Sequence, residues 1–179
     1  MALSFPMIYG TAWKAERTAN LVYQALQKGF RAIDTACQAK HYNQSGVGEA
    51  LTRAVSEGWL KRENVFLQTK FTAIAGQDHR LPYDKNAPLE DQVLQSFQKS
   101  LSDLQTDYMD CLLLHGPMQT VAETLRVYTV FEDLVDQGLV LNIGISNIYD
   151  TELLSTVYDK VRIKPRFIQN RFYADTGFD

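Results

Sequence analysis

Three strand-like runs each end on an ionisable side chain. Asp34 closes Phe30–Ile33, Lys70 closes Val65–Thr69, and His115 closes Tyr108–Leu114. Tyr42 stands eight residues past Asp34, in a polar loop that also holds Lys40 and His41. A phenol with an ordinary pKa of about 10 is a poor acid at neutral pH. An ammonium nearby stabilises the phenolate and lowers that pKa, and a carboxylate beside the ammonium offsets the cost of burying it. An imidazole can donate a hydrogen bond to an oxygen on which negative charge builds. Together the four types form a proton relay suited to protonating a carbonyl oxygen. Ser146 and Asn147 close another apolar run, and with Gln169 they add hydroxyl and amide groups fit to hold a carboxamide.

Each residue also has a plainer reading. Asp34 could cap a turn or helix, Lys70 could be a solvated loop residue, and His115, ahead of Gly116-Pro117, could be bonded to backbone. Tyr42 could be a half-exposed packing residue. The plain readings leave one thing unexplained: three consecutive strands deliver one ionisable group each to the same end.

The elements that must position these groups follow from periodicity. Strands are expected at Met7–Thr11, Phe30–Asp34, Val65–Lys70, Tyr108–His115, Leu139–Ile145 and Arg166–Asn170. Between them lie helical patterns over Ala15–Lys28, Ser45–Glu57, Leu89–Leu104, a fourth opened by a Thr120/Glu123 capping box, and Thr151–Asp159. Gly29, Gly58 and Gly138 stop three of these helices. Thr72–Pro88 is a long polar loop without periodicity, the kind that serves as a lid or specificity loop. Strict alternation of strand and helix implies a parallel sheet, with an open doubly wound sheet and a (β/α)8 barrel as the competing architectures. No G-x-G-x-x-G follows the first strand, which argues against a Rossmann dinucleotide site. Gly46-Val47-Gly48 reads as helix packing.

The bulk numbers bound the rest. With 179 residues, 45% hydrophobic and 22% charged, the chain is read as a single domain, residues 1–179, of ordinary globular composition. A net charge of −3 provides no footprint for nucleic acid or anionic membrane, and Lys160–Arg166 is read as a solvated connection. The start, MALSFPMIYG, has no basic n-region, and no run approaches the ~20 apolar residues of a membrane span. Two cysteines, Cys37 and Cys111, make no disulfide framework, so a cytoplasmic location is expected. Three histidines without an H-x-H at a strand end leave a metal-dependent hydrolase poorly supported, and no metal site is expected.

The ordered motifs are similar to those of the aldo-keto reductases along essentially the whole chain. They are Gly10-Thr11, Ile33-Asp34-Thr35-Ala36, Tyr42-Asn43, Val47-Gly48, Thr69-Lys70, Leu113–Pro117, Gly144–Asn147 and Gln169-Asn170. The resemblance implies a (β/α)8 barrel, here incomplete with about six of eight units and lacking the last two, hence a C-terminally truncated chain. It implies metal-free, NADPH-dependent reduction of small aldehydes and ketones, with Asp34, Tyr42, Lys70 and His115 as the catalytic tetrad. It also implies cofactor contacts at Gly10, Thr11, Asp34, Ser146, Asn147 and Gln169. The interval from Asp34 to Tyr42 is longer than the family's common one, and His41 is the alternative occupant of the tyrosine slot. The competing functional reading is a catalytically inactive truncated barrel that acts as an interaction or regulatory subunit. Substrate choice is expected to lie with the rim loops Thr72–Pro88 and Met118–Thr120.

Overall fold

The structure is a computed structural model that describes residues 7–174. The first six residues of the stretch read above against a secretory signal, and the last five of the chain, lie outside the described residues. Six strands form one sheet in sequence order: β1 (Tyr9–Gly10), β2 (Ala32–Asp34), β3 (Phe66–Phe71), β4 (Cys111–Leu114), β5 (Ile143–Ser146) and β6 (Phe167–Gln169). Every neighbouring pair is parallel. Five α-helices alternate with them: α1 (Thr18–Gln27), α2 (Gln44–Ser56), α3 (Leu89–Leu104), α4 (Val121–Asp136) and α5 (Thr151–Lys160).

The sheet is a curled half-barrel, and contacts across its hollow show it. Adjacent strands lie about 4.8 Å apart, so a flat sheet would hold β3 and β6 roughly 14 Å from each other. Instead the rings of Phe66 and Phe167 approach to 5.6 Å, and Gln68 Nε2 lies 3.4 Å from Gln169 Oε1. The open doubly wound alternative is thereby removed.

Side-chain alternation along each strand separates two apolar layers. Ile33, Leu67, Phe71, Leu112, Leu114, Ile143 and Ile145 face the helices and join the main core with Val22, Leu26, Val47, Phe97 and Phe131. Ala32, Phe66, Cys111 and Leu113 point the other way and fill the floor of the hollow beside Ile8 and Phe167. The next residues up on that inner side are polar: Asp34, Gln68, Lys70, Ser146 and Gln169. An apolar floor carrying a polar layer at the C-terminal strand ends is where barrel chemistry is built.

Helix packing explains Val47-Gly48. A Cβ on Gly48 would lie 2.1 Å from the carbonyl oxygen of Asp103 and 2.9 Å from Leu104 Cα, so the backbones of α2 and α3 touch at this point. The Thr120/Glu123 capping box is present in full at the start of α4.

Three boundaries differ from the sequence expectation by three residues or more, each for a local reason. The first helix is split into a 3-10 turn, Ala15–Arg17, and α1. There the Ala15 carbonyl accepts from the Thr18 hydroxyl (2.8 Å) and from Asn43 Nδ2 (3.1 Å). β4 starts at Cys111 because the Asp110 carboxylate accepts from Arg62 (2.8 Å) and from the Leu67 amide (3.0 Å), a latch below β3. β5 starts at Ile143 because Val140 makes only an isolated bridge with Met109 and Leu141 turns outward.

Candidate active site

β2 and β3 pair with Asp34 opposite Gln68, and Lys70 stands two residues further along the same inner face. Lys70 is 2% exposed, and its ammonium donates to Asp34 Oδ1 at 2.5 Å and to the Thr35 carbonyl at 2.8 Å. Gln68 Nε2 donates to the same Asp34 oxygen at 2.7 Å. The buried charge pair is thus matched and held by one neutral donor, Gln68, and one neutral acceptor, the Thr35 carbonyl, the condition under which such a pair persists.

Tyr42 lies on this pair. The Lys70 ammonium sits 5.3 Å from the centroid of its ring, and the His115 ring meets it edge-on at 6.0 Å. His41 lines the cavity beside Tyr42 but packs on Trp13: the two rings lie 3.9 Å apart, and the His41 carbonyl accepts the Trp13 amide at 2.8 Å. The long β2–α2 loop brings Tyr42 back through one helical turn, in which the Gln38 carbonyl takes the amides of both His41 (3.2 Å) and Tyr42 (3.0 Å). The loop is tied to the one after β3 by Gln38 Nε2 on Gly76 O (2.6 Å) and Gln77 Nε2 on Cys37 O (2.9 Å). Asn43 then caps α2 by accepting from the Gly46 amide.

The protonation states differ in part from the sequence expectation. Burial, reinforced by the Asp34 carboxylate, pushes the Tyr42 phenol up to about 12. The expected lowering by Lys70 is absent because Asp34 lies on that ammonium and the pair presents a dipole, not a free cation. His115 is pushed down to about 3, first by burial and then by the charges of Lys70 and His41, so its imidazole is neutral at pH 7. Its Nδ1 lies 2.6 Å from the Thr72 hydroxyl.

The strand ends named for a cofactor show distinct environments. Gly10 leaves open space where a Cβ would stand. Thr11 is fully buried and its hydroxyl donates to the Asp34 carbonyl at 2.8 Å, so it pins β1 to β2 and presents nothing outward. Ser146 donates to the Gln169 carbonyl at 2.7 Å. Asn147, in the left-handed region at φ 52°, donates through Nδ2 to His115 O (2.7 Å) and Ser146 Oγ (3.2 Å). The amide side chains of Asn147 and Gln169 stand on neighbouring strand ends, Gln169 paired with Ser146 and Asn147 next after it. With Asn147 Nδ2 engaged by those two bonds, Asn147 offers Oδ1 to accept and Gln169 offers Nε2 to donate, which together suit a carboxamide. Of the residues named for a cofactor, Asn147 and Gln169 are the two whose side chains could hold the carboxamide of a nicotinamide.

Beside Tyr42 and His115 opens a cavity of about 500 Å³, walled also by Trp13, Thr72, Asn147 and Arg171. A larger one, about 760 Å³, lies behind the β2–α2 loop among Cys37, Lys40, Arg80 and Asp103; Tyr42 lines both cavities, and Lys70 lines neither. Only the smaller is lined by both Tyr42 and His115. Sequence reading missed Gln68, Thr72, Trp13 and Arg171. For the first two a signal existed, since strand period two puts 68, 70 and 72 on one face.

The curled parallel half-barrel with an acid–base cluster at its C-terminal rim defines a class of α/β barrel protein, and the comparisons name it. The model of the Aldo/keto reductase family matches residues 6–174, and the chain belongs to that family. It is 31% identical over 191 aligned positions to the NAD(P)H-dependent D-xylose reductase of Pachysolen tannophilus, covering 92% of this chain and 54% of that one. It is 29% identical to the methylglyoxal reductase DkgA of Escherichia coli, covering 90% and 55%. Among solved structures, the aldo-keto reductase AKR2E4 of Bombyx mori in complex with NADP superposes with a TM-score of 0.74 at 25% identity, over 92% of this chain and 53% of that one. The aldose reductase of Schistosoma japonicum gives 0.75 at 26%, over 94% and 58%. The chain spans about half the length of the curated relatives it matches.

Proposed function

We propose that this chain carries the acid–base half of an NADPH-dependent reduction of aldehydes and ketones to alcohols. The observation that supports it best is the convergence of Asp34, Lys70, Tyr42 and His115 from three strand ends and one loop into one cluster, in which Tyr42 and His115 line the cavity and the Lys70–Asp34 pair lies against the Tyr42 ring. Asn147 and Gln169, with Ser146 holding the strand ends in register, would hold the nicotinamide carboxamide. The bound dinucleotide supplies the hydride. The dependence on NAD(P)H printed in the names of relatives, and the NADP in a solved neighbour, support the choice of cofactor.

Tyr42 is the proton donor. With its pKa near 12 it holds its proton throughout the neutral range. It is still acidic enough to protonate an alkoxide, whose basicity is close to that of hydroxide, the conjugate base of a water with a pKa of about 15.7. Lys70 and Asp34 supply a fixed dipole under the ring, and neutral His115 donates a second hydrogen bond to the same substrate oxygen. Trp13 walls the cavity that takes the carbonyl compound.

The test is Tyr42→Phe in the purified protein, followed by loss of NADPH absorbance with a simple aldehyde and by NADPH fluorescence for binding. The expected result is a fall in kcat of about 10²–10⁴-fold with cofactor affinity retained. A Tyr42→Phe protein that turns over like its parent overturns the assignment. A parent that neither binds NADPH nor reduces an aldehyde overturns the activity for this chain.

A further inference from the structure

The relay as described leaves Thr72 without a task. It is 4% exposed, it sits just past β3 on the face of Gln68 and Lys70, and its hydroxyl has one partner among the described residues, His115 Nδ1 at 2.6 Å. We propose that Thr72 is a positioning residue that holds His115 in the Nε2–H tautomer and aims that proton at the substrate oxygen. The catalytic consequence rests on the reductase reading given above; the tautomer assignment does not.

Proton counting supports the direction of this bond. A threonine hydroxyl has one proton to give, and a neutral imidazole has one N–H and one lone pair. If Nδ1–H donated to Thr72, the hydroxyl proton would be a buried donor with no acceptor among the described residues. If the hydroxyl donates to the Nδ1 lone pair, one bond satisfies both groups. The ring proton then sits on Nε2, the nitrogen left toward the cavity that His115 lines. The opposite tautomer would turn a lone pair toward the lone pairs of a carbonyl oxygen.

The surroundings hold both partners still. A Cβ on Gly76 would lie 2.7 Å from Thr72 Cγ2, so the threonine methyl rests directly over this glycine and its hydroxyl faces the ring. The Thr72 carbonyl accepts from Tyr83 Oη (2.7 Å) and Gln77 Nε2 (3.2 Å). His115 is held by its amide on Phe71 O (2.9 Å) and by Asn147 Nδ2 on its carbonyl (2.7 Å). Burial keeps the imidazole neutral, which preserves the Nδ1 lone pair at working pH.

The experiment is two-bond ¹H–¹⁵N correlation on protein labelled at histidine. Only three histidines are present, and His41→Asn and His79→Asn assign the third. The parent is expected to show protonated Nε2, with Nδ1 shifted as a hydrogen-bond acceptor. Thr72→Val, which keeps the shape and removes the hydroxyl, is expected to abolish that shift, whereas Thr72→Ser retains it. Gly76→Ala, which displaces the Thr72 methyl without touching His115, is expected to reproduce the valine spectrum. In turnover, Thr72→Val should lower kcat about fivefold to tenfold with a smaller change in KM, and serine should restore it. A parent carrying its proton on Nδ1, or a Thr72→Val spectrum identical to the parent's, overturns the proposal. Normal tautomer results in a protein without turnover would instead overturn the reductase reading alone.

Discussion

Replacing Asp34 with asparagine removes one charge from the buried pair and almost no volume. Lys70 then keeps two neutral acceptors, the Thr35 carbonyl at 2.8 Å and the new amide oxygen, with 2% of its surface in water. Breaking a buried pair by removing one partner costs ~3–5 kcal/mol. A ceiling exists, because a buried amine can escape by losing its proton. For a lysine of ordinary basicity that costs about 4.6 kcal/mol at pH 7, from a pKa of about 10.4 at 1.36 kcal/mol per unit. The expected loss is therefore about 3–4 kcal/mol at pH 7. At pH 9 the same ceiling falls to about 1.9 kcal/mol, so the loss must shrink as pH rises. The sign follows from linkage: in the variant the unfolded chain binds the amine proton more readily, and stability rises with pH. The assay is urea unfolding of parent and Asp34→Asn at both pH values, with Asp34→Asn/Lys70→Met as the control that removes the orphaned charge and recovers most of the loss. A loss below about 1 kcal/mol at pH 7, or one that does not change by pH 9, would refute the argument that Asp34 is what compensates Lys70.

Two further outcomes are expected. Gly48→Ala must separate α2 from α3 at a backbone contact that no rotamer can relieve, so its unfolding free energy from urea titration should drop by at least the ~1–3 kcal/mol of ordinary overpacking; an unchanged value would mean that the helices do not touch there. Stability should form a plateau in pH with a named cause on each side. His115 is neutral in the fold down to about pH 3, so from the unfolded histidine value of 6.5 downward the unfolded chain binds the extra proton and stability falls by up to about 1.4 kcal/mol per pH unit. The exposed carboxylates Glu57 and Asp78, held at about 2, join only below about pH 4. Tyr42 and Tyr83, both raised to about 12, keep protons that the unfolded chain loses from pH 10, so stability falls again as pH rises from 10 to 12. His115→Asn should flatten the acid limb between pH 6.5 and 4.5, apart from a small share from His41; a parent that is flat there contradicts the burial of the ring.

The half-barrel was legible because each of its signals is local. Apolar runs such as Cys111–Leu114 are buried on both faces, helices α1, α2 and α4 run out at Gly29, Gly58 and Gly138 with positive φ, and the Thr120/Glu123 pair caps α4. Where the reading slipped, a side chain had taken a backbone partner from a distance in sequence. Asn43 on Ala15 O and Asp110 on the Leu67 amide are such cases, and no periodicity registers them. The direction of the Tyr42 shift was illegible for a related reason. Its largest cause is burial, and burial of a loop residue depends on how the whole loop folds back.

The choice between His41 and Tyr42 shows where residue type and spacing stop deciding. The two are adjacent, so a shift of one position in the loop exchanges them. What separates them is the turn at Gln38, and that turn is held by two glutamine side chains reaching between loops, Gln38 to Gly76 and Gln77 to Cys37. The same second loop carries Thr72 and the glycine under its methyl. Thus the segment that follows β3 positions the phenol through the glutamines and the imidazole through the threonine, while Lys70, two residues earlier on the strand, sits between them. The acid–base groups come from separate stretches of chain, but their aim is set mainly by one loop. Changes in 72–77 should therefore alter proton delivery before they alter the fold of the barrel.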